Sequence, residues 1–173
     1  MDKISKCFRV LAAAIIIIWA SIQSSPAQNS GVGGDLCTRL LWRGTDGSIV
    51  LHKLDANLHL VLRHGYGPFD EWLPIALTVA NNSDTYVLWR RTDGVVTIWL
   101  LDVNLNFIGS QQYGPIPGWT AEHLSADTNG GASTLRLSWR HTDGAFGVWF
   151  LQPNLALSVS ATFGPFFGYL PGQ

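Results

Sequence analysis

Residues 72–113 hold four short blocks of apolar and β-branched positions separated by turn chemistry, and nothing after residue 28 carries a helical period. Residues 72–79 read as an apolar-alternating strand, residues 80–84 as a turn and residues 85–90 as a second strand. Thr92-Asp93-Gly94 then predicts a hairpin, because Gly accepts a positive φ and Asp tolerates one. Residues 95–101 and 104–111 complete a four-stranded antiparallel unit ahead of Tyr113-Gly114-Pro115.

The unit occurs three times. Trp42-Arg43-Gly44-Thr45-Asp46-Gly47 returns 47 residues later as Trp89-Arg90-Arg91-Thr92-Asp93-Gly94, and after a further 50 as Trp139-Arg140-His141-Thr142-Asp143-Gly144. Register holds through Leu54, Leu101 and Leu151, and through Asn57-Leu58, Asn104-Leu105 and Asn154-Leu155. It continues through Tyr66-Gly67-Pro68, Tyr113-Gly114-Pro115 and Phe163-Gly164-Pro165, followed by Trp72, Trp119 and Tyr169. The longer second interval places its extra residues in the polar stretch 127–133, where a surface loop absorbs an insertion. The expected organisation is a signal peptide over 1–27, an N-terminal tail over 28–39 and a three-repeat β domain over 40–173, with units of about 40–84, 85–134 and 135–173. The first unit lacks its opening strand, since residues 31–38 contain nothing like residues 119–127.

In the strand after each Asp-Gly turn, Ile49, Val96 and Phe146 share a face with Leu51, Ile98 and Val148, while Trp99 and Trp149 share the other with Leu54, Leu101 and Leu151. Apolar residues on both faces point to a sheet stacked between two neighbours, as in the radial blades of a β-propeller. On these repeats, over about residues 40–172, the chain resembles secreted Trp-rich tandem-repeat propeller lectins of the tachylectin and fucose-lectin types. The resemblance implies an all-β fold of three four-stranded, propeller-like units and a carbohydrate ligand. Closed propellers have roughly 4 to 8 blades, so a homodimer closing a six-unit ring head to tail is one expectation. A β-trefoil closed within one chain is the alternative.

Composition narrows the class. Of 173 residues 47% are hydrophobic and 13% charged, against roughly 25% charged in ordinary soluble domains. With a formal charge of -1 there is no basic footprint for a nucleic acid. Lys3, Lys6 and Arg9 precede an apolar run over residues 10–20, and Ser25-Pro26-Ala27 offers a small-residue cleavage site, the pattern of a secretory signal cut after Ala27. The run is too short for a bilayer-spanning helix of roughly 18 residues, so a secreted or periplasmic product without a membrane anchor is expected. Cleavage would leave Cys37 as the only cysteine, which excludes an intrachain disulfide.

Catalytic chemistry finds little support. No G-x-S-x-G elbow is present, and His52, His59, His64, His123 and His141 lack zinc-site spacing, so neither metal nor cofactor is expected and the chain reads as a non-enzyme. Asp46, Asp93 and Asp143 are what their hairpin turns require. The candidate ligand-binding residues are Trp42 with Arg43, Trp89 with Arg90 and Trp139 with Arg140, joined by Tyr66, Trp72, Tyr113 and Trp119 near the Gly-Pro turns. An aromatic plate beside a guanidinium suits a sugar, whose C–H face stacks while its hydroxyls accept hydrogen bonds. Strand neighbours point to opposite faces, so a core role for the Trp and a carbonyl-capping role for the Arg compete with that reading. The expected function is an exported lectin-like protein with several weak sugar sites. The alternative is a non-catalytic structural or adhesion repeat protein that binds protein partners. N-terminal sequencing of the exported product is expected to begin at Gln28; an intact residue 1 on a membrane-bound product would show the apolar run to be a retained anchor.

Overall fold

The computed structural model describes residues 37–127, 134–166 and 168. The expected signal segment 1–27, most of the tail, the insertion loop and Tyr169 lie outside the described residues. Within them the fold is all-β, with eleven strands and no helix. The first sheet contains β1 (Thr38–Arg43), β2 (Ile49–Leu54) and β3 (Leu60–Tyr66). The second contains β4 (Trp72–Val79), β5 (Thr85–Arg91), β6 (Val96–Leu101) and β7 (Phe107–Tyr113). The third contains β8 (Trp119–Asp127), β9 (Thr134–His141), β10 (Phe146–Leu151) and β11 (Leu157–Phe163).

Each sheet is an antiparallel meander in chain order. Among the described residues no ladder joins one sheet to another, whereas a trefoil needs strands of all three units paired into one barrel, so the trefoil alternative is not the arrangement found there. Successive sheets meet face to face, with β4 packed against β1 on one side and β8 on the other. The sheets begin at Trp72 and Trp119, one strand ahead of the unit boundaries drawn from the Trp-Arg motif, because the Gly-Pro segments are the crossings between sheets. The first sheet has three strands among the described residues, and residues 31–36, where an opening strand would precede it, lie outside them.

Two expectations about turns are refined. The hairpins at Asp46, Asp93 and Asp143 are three-residue loops, in which Arg91 N donates to Val95 O (2.7 Å) and Gly94 N to Arg91 O (3.0 Å). Only the glycine takes positive φ there, at 82°, 88° and 94° for Gly47, Gly94 and Gly144. The last strand of the second unit begins at Phe107, not Asn104, because the Asp102 carboxylate accepts from the backbone N–H groups of Asn104 and Asn106 and holds a turn. The recurrent leucines of these turns, Leu58, Leu105 and Leu155, have φ of 64°, 64° and 69°.

A branched side chain in the left-handed region costs roughly 1–2 kcal/mol. Leu105 and Leu155 offset it by burial, being 0% and 3% exposed against the preceding sheet, an effect worth about 1.5–3 kcal/mol each. Their carbonyls are used as well: the Tyr66 hydroxyl donates to Leu105 O and the Tyr113 hydroxyl to Leu155 O across the two boundaries. Lys53 Nζ to Val103 O (3.2 Å) and the Tyr86 hydroxyl to Pro153 O (3.1 Å) repeat the pattern two residues earlier in each turn.

The core lies between sheets. Ile49 and Leu51 meet Val87, Trp89, Leu101 and Leu105 at the first boundary. Tyr86, Leu88, Val96 and Ile98 meet Leu124, Leu137, Trp139 and Leu155 at the second. Only the second sheet therefore buries both faces: in β6, the strand after its Asp-Gly turn, residues of both faces are buried or half-buried, and Thr85–Trp89 of the neighbouring β5 is buried at every position. In β9, which has one covered face, buried and exposed residues alternate. Tyr113→Phe keeps the ring but leaves Leu155 O without its donor. A loss of about 1–3 kcal/mol is expected in urea denaturation, and an unchanged midpoint would show the phenol bond to be dispensable.

Candidate functional site

The alignment of the repeats returns in three dimensions as one hollow built twice. On the second sheet, Trp89 and Thr97 form the floor, Trp72 and Trp99 the walls, and Ser110 and Gln112 of β7 the outer rim, around a space of about 170 Å³. Phe69, from the crossing between the first two sheets, forms the roof and meets Trp99 edge-on at 5.1 Å and Trp89 at 5.5 Å. On the third sheet Trp139, Gly147, Trp119, Trp149 and Thr162 hold the corresponding places under Ile116, around about 150 Å³. The tryptophan pairs match closely, with Trp89–Trp99 at 4.8 Å and 46° and Trp139–Trp149 at 4.9 Å and 50°.

Backbone pairing explains the convergence. Trp89 lies opposite Thr97 and Thr97 opposite Gln112, while Trp99 lies opposite Ser110, so these side chains occupy one face of the sheet. Gly147 replaces Thr97 on the third sheet because a Cβ there would lie 3.0 Å from the Trp119 ring. Each crossing is shaped by a positive-φ glycine and a cis proline, Gly67-Pro68 and Gly114-Pro115. Phe69 is held by its own N–H donating to Gly47 O (3.2 Å).

Among the described residues no charged side chain lines either hollow. The indole N–H groups of Trp89 and Trp139 are buried without an acceptor, a recurrent unsatisfied donor in the floor residue of both hollows. Trp42, their counterpart on the first sheet, instead donates to His52 Nδ1 (3.2 Å).

Of the residues expected from sequence, Trp72 and Trp119 line the hollows half-buried, whereas Trp89 and Trp139 are core residues 1% exposed beneath them, which is the competing core role, and Trp42 occupies the equivalent place on the first sheet, half-buried. The expected pairing of Trp with the adjacent Arg is corrected, because strand alternation sends the Arg to the other face. Arg90 Nη1 donates to Ala121 O (3.3 Å) across the second boundary, Arg140 pairs with Glu122 (2.6 Å), and Arg43 is exposed at the end of β1. Tyr66 and Tyr113 spend their hydroxyls on the boundary bonds rather than on a hollow, and burial pushes the Tyr113 phenol up to about 12. Trp99, Trp149, Phe69, Ile116, Ser110, Gln112 and Thr162 were missed as lining. Their signal was available in the repeats, where Trp99 and Trp149 share a face two residues from Thr97 and Gly147.

The aspartates act within their own turns. Asp46, Asp93 and Asp143 accept from the N–H of Ser48 (3.0 Å), Val95 (3.1 Å) and Ala145 (2.8 Å). The Arg91 guanidinium, then the Val95 N–H, lower Asp93 to about 2, and Asp46, Asp102 and Asp143 are lowered by hydrogen bonds to Ser48, Asn106 and Ala145. Among the described residues no group of three His, Cys, Asp or Glu could hold a metal. A carboxylate titrating below its ordinary 3.8 stabilises the fold above that value and loses its contribution as pH falls through the folded value. The melting temperature is accordingly expected to drop between about pH 5 and pH 2, with a shallower drop in Asp93→Asn, which keeps the turn acceptor but cannot titrate.

No family model matches the chain, and no curated protein matches it. Among solved structures it is similar to a protein of unknown function from Bacteroides caccae, with a TM-score of 0.42 and 11% identity over 71% of this chain. The match spans 41% of that protein, so this chain corresponds to less than half of its length.

Proposed function

We propose that this is an exported, lectin-like carbohydrate-binding protein of propeller-like blades, with one shallow sugar site in each hollow between successive sheets. The observation that carries the reading is the recurrence of the hollow at both boundaries with the same tryptophan geometry. Packing alone does not require a recurrent open space, because interiors close to high density where nothing needs to enter. Tryptophan faces suit the C–H face of a pyranose, and the rim of Ser110 with Gln112, or of Thr162, supplies neutral hydrogen-bonding groups for hydroxyls. A quaternary ammonium also binds aromatic walls, but the absence of a lining carboxylate favours an uncharged guest. Each space is smaller than the roughly 300–1,000 Å³ of drug-sized pockets, so each site takes a single ring and binds weakly, with avidity arising from simultaneous engagement.

A glycan array followed by titration of tryptophan fluorescence tests the reading. A hit with a dissociation constant in the millimolar range, about 4 kcal/mol, is expected. Gln112→Ala and Thr162→Ala are expected to weaken binding by about tenfold, or 1.4 kcal/mol, without changing the fold, and Arg43→Ala to leave it unchanged. A silent array from folded protein, with choline equally silent, would leave the structural or adhesion repeat as the better reading.

A further inference from the structure

Among the described residues the stack presents one face outward at each end, and the two faces carry the complementary halves of the boundaries it already contains. At each internal boundary a left-handed leucine and a strand tryptophan of the later sheet are buried against the last two strands and the crossing of the earlier one. On the first sheet the same places belong to Leu58, Trp42 and His52. Leu58 is 68% exposed at φ 64°, where Leu105 and Leu155 are buried. A branched residue in a strained conformation with its side chain in water lacks the compensation that its two counterparts have. On the third sheet, Val159, Phe163 and Phe166 stand where Leu62, Tyr66 and Phe69 pack into the first boundary, and they are 56%, 50% and 54% exposed. The crossing that carries Phe166 is already bent as its counterparts are, with Gly164 at φ 87° and Phe166 N donating to Gly144 O (3.5 Å).

We propose that the outward face of the third sheet in one copy docks on the outward face of the first sheet in a second copy, so that two chains close a ring of six units. The occupant is a second copy because this chain supplies both halves of a contact it makes twice within itself. Two copies give the one multiple of three units within the roughly 4 to 8 blades of closed propellers, and a front-to-back contact needs such closure to leave no open face.

The contact between chains is the weaker of the set. Phe163 has no hydroxyl, so Leu58 O receives no phenol donor, and His52 stands in place of Trp99 and Trp149. The chains therefore separate before the units within a chain do. Docking also places Phe166 of one copy over Trp42, His52, Arg63 and Gly65 of the other, which makes a third, more basic hollow at each junction. That last consequence rests on the carbohydrate reading; the assembly does not.

Sedimentation equilibrium of the protein without sugar tests the assembly independently of ligand binding. Twice the chain mass is expected; a strict monomer at high micromolar concentration, or open-ended polymers, would overturn the ring. Leu58→Asp and Phe163→Asp alter side chains that are exposed in the single chain, and each is expected to raise the dissociation constant at least tenfold with an unchanged circular dichroism spectrum. Val159→Asp serves if Phe163→Asp fails to fold. An equimolar mixture of the front and back variants retains one intact contact and is expected to bind more tightly than either alone, whereas a like-face dimer would not recover. Phe163→Tyr restores the missing hydroxyl and is expected to tighten the dimer at least threefold; no change or a loss would count against this docking geometry.

Discussion

The structure depends on a leucine held in a left-handed turn and driven into the face of the preceding sheet. Leu105 and Leu155 are conformationally unfavourable residues for that backbone, and burial against the neighbouring unit outweighs the cost. Because the favourable term comes from the next unit, no unit is self-sufficient. Each supplies the face that makes its neighbour's turn worthwhile, and a tyrosine then fixes the distance by bonding the leucine's own carbonyl. This is the nearest-neighbour logic of repeat proteins.

The hollows follow from the same geometry. Two sheets pinned together by leucine and tyrosine leave the neighbouring part of the face to be bridged by the crossing residue, Phe69 or Ile116. Trp89 and Trp139 are buried beneath the gap, and their partners Trp99 and Trp149 line it half-buried. The polar rim comes from the last strand of the same sheet, exposed because it lies farthest from the packed inner strands. Architecture and candidate site are thus one construction, and the differences between the copies, Thr97 against Gly147 and Phe69 against Ile116, alter the shape and rim of the hollow without altering the boundary.

Much was legible in the chain before any coordinates. Repeat length, strand count, the Asp-Gly turns and the two-faced apolar strand follow from local rules of φ preference and alternation. For Arg43, Arg90 and Arg140 the sequence leaves two readings open, a donor fork beside the tryptophan or a carbonyl cap on the opposite face, and the Arg90 bond to Ala121 O in the next sheet decides for the cap at that position. Tyr66 and Tyr113 looked like loop aromatics available to a ligand, but their hydroxyls are engaged by carbonyls 39 and 42 residues away.

By itself the sequence determined the β character, the threefold repetition, the positions of the turns and the Asp side chains that hold them, since each depends on residues within a few positions of one another. Only the tertiary structure decided which tryptophans face an open space, where the sheets begin and end, and which leucine of three stands in water. Those are properties of the space between sheets, set by residues 40 to 50 positions apart, and a local pattern contains no term for what lies across a face.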